Sequence, residues 1–134
     1  PLAQVFCDIG KCKIEIAKYR DQKRTEKMYA AYDVLWTKTK DLVKNAGTLD
    51  DNDIKILVWN ETINNIYSEI QYFLVNISES DIYGLLDEII LNAEDLKKTT
   101  SLSEVKSLLD EVILNADVAK QRTREAVAAR RGDR

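Results

Sequence analysis

Apolar positions recur along most of this chain at spacings of three and four, the pattern of helices that each bury one face. Leu2, Val5, Ile9, Cys12, Ile16 and Tyr19 make the first such stripe. The stretch from Arg20 to Lys27 is wholly polar, and a second stripe follows through Met28, Tyr32, Leu35, Thr39, Leu42 and Ala46, flanked by Tyr29, Trp36 and Val43. At about 100° of rotation per residue, the mean directions of these two stripes lie roughly 140° apart. One straight helix therefore cannot aim both at one core. Either the chain bends near residues 20–27, or residues 1–20 form an arm on another surface such as a second copy, or a continuous helix serves two partners. No proline or glycine marks a break there, and Gly10 is a weaker place for a kink.

Gly47 follows the second stripe where a helix C-terminus would place it, and Thr48 to Asp53 suits the start of the next helix. That third stripe is the clearest. Ile56, Trp59, Ile63, Ile66, Ile70, Phe73 and Ile77 alternate spacings of three and four, with Leu57, Tyr67 and Leu74 widening the apolar face. Its β-branched content would suit a strand, but a period of two fails over this length, so the segment is expected to be a helix packed among helices.

Residues 78–93 reappear at 101–116, twenty-three positions later, with Leu-Leu-Asp-Glu and Ile-Leu-Asn-Ala common to both copies. Each copy opens on a serine with an acid three residues on, Ser78 with Asp81 and Ser101 with Glu104, which resembles the capping box at a helix start. Apolar stripes follow, through Ile82, Leu85, Leu86, Ile89, Ala93 and Leu96 in the first copy and Val105, Leu108, Leu109, Val112, Ala116 and Ala119 in the second. The expected geometry is an antiparallel pair joined around Lys97 to Thr100. Two copies are too few for a solenoid.

The fold expected is all-α: a helical bundle of four main helices with a long or bent N-terminal helix or arm. Helices are placed near residues 2–20, 21–46, 52–77, 80–98 and 102–128. The parts are an arm at 1–20, the bundle at 21–128 and a frayed basic tail at 129–134. A chain of 134 residues with four glycines and one proline, at its first position, suits one helical domain that needs no staples. No apolar run is long enough for a membrane span and the first residues do not form a signal peptide. The expected location is intracellular and cytoplasmic, or within a virion. On that basis Asn60-Glu-Thr and Asn76-Ile-Ser are chance matches to a glycosylation sequon, and Arg131-Gly132-Asp133 a chance match to an adhesion tripeptide.

Charge changes the picture more than composition does. Residues 1–46 carry ten Lys/Arg against six Asp/Glu, residues 47–98 three against eleven, and residues 99–134 seven against six. The net value of −3 thus conceals basic ends and an acidic middle, and a basic end of one copy could meet the acidic middle of another.

Candidate chemistry is sparse. There is no histidine, no glycine-rich phosphate loop and no Gly-x-Ser-x-Gly elbow, so neither enzyme activity nor a cofactor is expected. Asp87, Glu88, Asp110 and Glu111 could face one another on neighbouring helices, but carboxylate metal bundles pair such acids with a Glu-x-x-His motif that this chain lacks; an exposed acidic face is expected instead. Cys7 and Cys12 fall about 140° apart on the wheel, which disfavours a disulfide between them, and both are expected to be buried thiols.

These features point to a non-enzymatic structural subunit that self-associates through helix packing, as a virion or filament component would. Leu2, Val5, Ile9, Cys12, Ile16 and Tyr19 would carry the subunit contacts of a homo-oligomer. A nucleic-acid-associated protein is the second class. It would use Lys11, Lys13, Lys18, Arg20, Lys23, Arg24 and Lys27 with Arg130, Arg131 and Arg134 of the tail, although an isoelectric point near 5.1 is low for that role. An adaptor bundle that takes a partner helix in a groove is the third. Neither a membrane nor a small-molecule substrate is indicated.

Overall fold

Every expected stripe is carried by a helix in the computed structural model, which describes residues 2–46, 51–76 and 78–132. In chain order these are α1 (Leu2–Asp21), α2 (Thr25–Ala46), α3 (Asn52–Asn76), α4 (Glu79–Thr99) and α5 (Ser103–Arg131), and no strand occurs among the described residues. None of these helices is long and apolar enough to cross a membrane.

The polar stretch after the first stripe is a tight turn. Lys23 adopts φ 56°, the left-handed region that glycine usually fills at a helix end. Its N–H donates to the Arg20 carbonyl at 3.1 Å and the N–H of Arg24 reaches back to the Tyr19 carbonyl at 2.9 Å. This is the paired 5→2 and 6→1 pattern of a Schellman motif. The contact that usually accompanies it is made here by the Arg24 guanidinium lying 5.9 Å from the Tyr19 ring centre. A lysine in the left-handed position explains why no glycine or proline announced the turn.

With the turn closed, α1 folds back onto α2 and touches no other helix among the described residues. Ile9, Cys12 and Ile16 are buried there, with Val5 and Tyr19 half-buried beside them. From Val5 to Tyr19 the first stripe is therefore spent inside the chain. It is not the face of a free arm, which corrects the expectation that it lies open to a second copy. α2 packs against α1, α3 and α4 and buries a correspondingly broad arc of Met28, Ala31, Tyr32, Leu35, Trp36, Leu42 and Val43.

α3 joins this hairpin to the second one. It packs against α2 and α5, α5 packs against α4, and α4 also touches α2 and α3. The Tyr67 hydroxyl of α3 donates to the Asn115 carbonyl of α5 at 2.9 Å. Thr39, Thr62 and Thr123 are buried, and each returns its hydroxyl to the carbonyl four residues earlier, which removes the cost of an unpaired polar group. Asn65 is also buried, with no partner for its side-chain amide among the described residues.

Several details depart from expectation. Leu57 and Leu108 lie on exposed faces, and Cys7 is exposed while Cys12 is buried. Ser78 caps α4, its hydroxyl accepting from the Asp81 N–H at 3.3 Å. The second serine does not repeat this: α5 starts at Ser103 after Leu102, which makes no side-chain cap bond. The tail expected to fray from residue 129 continues α5 to Arg131, where Gly132 closes the helix at φ 75°. Gly47 and Ile77 lie outside the described residues, as do the side chains of Leu2, Phe73 and Leu74.

Candidate interaction surfaces

Two surfaces of opposite charge stand out. The first is α1 with its turn. Residues 11–27 carry seven Lys/Arg against three Asp/Glu. Lys11, Lys18, Arg20, Lys23, Arg24 and Lys27 are exposed and Lys13 is half-buried. At the turn the Nζ of Lys18 and of Lys27 lie 6.0 and 5.9 Å from the Tyr19 ring centre, so with Arg24 three cations surround one aromatic. Such contacts are worth about 0.5–1 kcal/mol each when exposed, enough to organise the cations without neutralising them. On the side of α1 away from α2, Lys11, Ile14 and Lys18 follow one another at spacings of three and four, and Ile14 is 71% exposed.

Not all the expected basic residues join this surface. Arg130 is exposed near the end of α5, and α5 makes no contact with α1 or α2 among the described residues, so the tail and the turn are separate basic regions. The side chain of Arg131 and the whole of Arg134 lie outside the described residues.

The second surface is the outer side of the α4–α5 hairpin, and the repeat makes it two-fold. Lys97 pairs with Asp110 at 2.6 Å and Lys120 with Asp87 at 2.5 Å. Asp87 and Asp110 occupy equivalent places in the two copies, as do Lys97 and Lys120, so each copy offers its acid to the other copy's lysine. The hairpin thus carries an internal pseudo-dyad, which passes between Asn92 and Asn115. Beside it, Leu91 and its counterpart Leu114 are 59% and 61% exposed. Around them stand two more equivalent pairs of exposed acids, Glu88 with Glu111 and Glu94 with Asp117. Residues 87–117 carry eight Asp/Glu against three Lys. Periodicity sets Leu91 and Leu114 off the core, about 170° around the wheel from the centres of their stripes, but it does not show that the pairing of α4 with α5 brings both to one side of the hairpin.

No protein family, curated protein or solved structure matches this chain. The surfaces must therefore be interpreted from their own chemistry. Asp87 and Asp110 are already engaged by lysines, and no group of three metal-ligating side chains occurs among the described residues. Three surface clefts are each lined by charged groups. The largest of the three, about 470 Å³, lies between α4 and α5 and is bordered by Glu94, Lys97, Lys98, Lys106, Asp110 and Ile113. A smaller one of about 250 Å³ reaches Trp59, whose buried Nε1 has no acceptor among the described residues, beside Lys55, Asn92 and Asp95.

Proposed function

We propose that this protein is a non-enzymatic structural subunit that self-associates. The observation that carries this is the presence, on one chain, of a basic surface and an acidic surface that each expose an aliphatic centre: Ile14 on the first, Leu91 and Leu114 on the second. Opposite charges steer association and fix register, while exposed aliphatic groups gain about 25 cal/mol for each Å² they bury. Ile14, Leu91 and Leu114 are each more than half exposed in the single chain, which leaves this apolar area to be buried against a partner. The lack of histidine and of recognisable catalytic motifs supports a binding role over catalysis. The test is light scattering over a range of protein concentrations at low salt. A mass that rises with concentration supports self-association, and a constant monomer mass overturns it.

A second reading has its own observation. The three cations around Tyr19 make a compact patch that suits phosphate oxygens and a stacked base, so the turn could bind nucleic acid. Titration with short single-stranded DNA or RNA tests it. Affinity that falls steeply with salt supports phosphate contacts, and absence of binding at low salt excludes them.

A further inference from the structure

We infer that the outer face of α1 seats on the outer face of the α4–α5 hairpin of a second copy, so that copies join head to tail. This rests on the self-association proposed above and names its contact. Pairing between like surfaces is disfavoured: two α1 faces would oppose lysines, and two hairpin faces would oppose the acids ringing Leu91 and Leu114. Only the unlike pairing brings both charge signs and both aliphatic centres together.

The spacing of the groups fits. Lys11 and Lys18 are seven residues apart on one helix, about 10.5 Å along its axis, with Ile14 between them. On the hairpin, the two ion pairs fix a register in which Glu94 faces Ile113 and Asp117 faces Ile90. Glu94 and Asp117 are therefore offset by four residues, about 6 Å axially, across helices whose axes lie about 8–10 Å apart. Their backbone separation is on the order of 11 Å, and Leu91 and Leu114 stand one turn before them on the same two helices. α1 laid across the hairpin thus matches lysine to acid at both ends and sets Ile14 between the two leucines. Gly10 on α1 has open space where a Cβ would stand, which lets a second helix approach closely. The contact joins two different surfaces, so it propagates to an open filament or closes to a ring.

The experiment is a charge exchange in the full chain. One variant carries Lys11→Glu with Lys18→Glu and a second carries Glu94→Lys with Asp117→Lys. All four sites are exposed, and circular dichroism confirms that each variant is folded. Each variant alone is expected to self-associate at least tenfold more weakly than the parent at low salt. Mixed in equal amounts they present one acidic α1 to a basic hairpin and one basic α1 to an acidic hairpin, and association is expected to return. Variants that associate as well as the parent, or a mixture that stays monomeric, would overturn this contact while leaving self-association in place. A parent chain that is monomeric throughout would remove both.

Discussion

Asp87 and Asp110 stand at the same position in the two copies of the repeat, and each forms an ion pair with the other copy's lysine, Lys120 for Asp87 and Lys97 for Asp110. An exchange of this kind is the geometry of a two-fold dimer interface, here built between two helices of one chain. It explains why the repeat keeps an acid and a lysine ten residues apart in both copies, a spacing with no intrahelical use.

The two pairs should be energetically alike. Lys97, Asp110 and Asp87 are substantially solvent-exposed, so each pair is expected to couple by about 0.2–1 kcal/mol. Double-mutant cycles with Asp87→Asn and Lys120→Met, and with Asp110→Asn and Lys97→Met, measured by urea unfolding, should give similar small values. A coupling of several kcal/mol in one pair alone would show that the hairpin is not two-fold in energy.

Lys23 holds a backbone conformation that costs a non-glycine residue about 1–2 kcal/mol. Glycine would remove that cost while adding about 0.5–1 kcal/mol of unfolded-chain entropy. Lys23→Gly is therefore expected to raise stability by up to about 1 kcal/mol, and Lys23→Val to lower it. Denaturant midpoints of the two variants relative to the parent decide the point; a destabilised glycine variant would contradict the turn described here.

Much of this architecture was legible in the sequence. The helices follow from spacing of apolar residues, and the antiparallel α4–α5 pair follows from the repeat and its short connection. The direction of α1 was not legible, because a Schellman turn centred on Lys23 looks like helix when lysine replaces glycine. Once the turn is seen, the 140° offset between the first two stripes becomes what a hairpin needs. The basic turn was visible as a run of lysines and arginines. The acidic surface was visible only as composition, since knowing that the acids of both copies lie on one side of the hairpin requires the pairing of α4 with α5.

Ile16 and Ile14 separate folding from assembly. Ile16 is fully buried between α1 and α2, so Ile16→Ala is expected to cost about 2–5 kcal/mol of stability. Ile14→Ala is expected to change stability by less than about 0.5 kcal/mol but to weaken self-association. Thermal unfolding beside sedimentation resolves the two; an Ile14 variant that assembles normally would show that the outer face of α1 is not used.

The two cysteines offer a chemical footprint. Burial, with Glu15 and Asp8 nearby, pushes the Cys12 thiol above its ordinary value, whereas Cys7 is exposed on α1. A disulfide-exchange reagent at pH 8 should modify Cys7 rapidly and Cys12 slowly. The Cys7 rate is expected to fall as protein concentration rises, because α1 becomes covered. Two equally fast thiols would contradict the burial of the first stripe.

Acid should loosen α1 from α2. A side-chain hydrogen bond from Gln4 and the Lys38 ammonium at 3.2 Å hold the Asp8 carboxyl below its ordinary value of 3.8. A carboxyl lowered in the folded state adds stability above its unfolded value and loses it as pH falls through the folded one. Asp8→Asn should therefore flatten the decline in stability below about pH 4, read from urea midpoints between pH 2 and 6. An unchanged acid limb would mean that the contact adds nothing.

The most direct test of self-association through opposite charges is sedimentation equilibrium of the parent chain at about 0.02 M and at 1 M salt, where the screening length shrinks to about 3 Å. The expected result is a multimeric mass at low salt that falls towards the 15.4 kDa of a single chain at high salt. A mass of one chain at both salt concentrations would contradict the central claim, and a multimer indifferent to salt would place its contacts away from the charged surfaces.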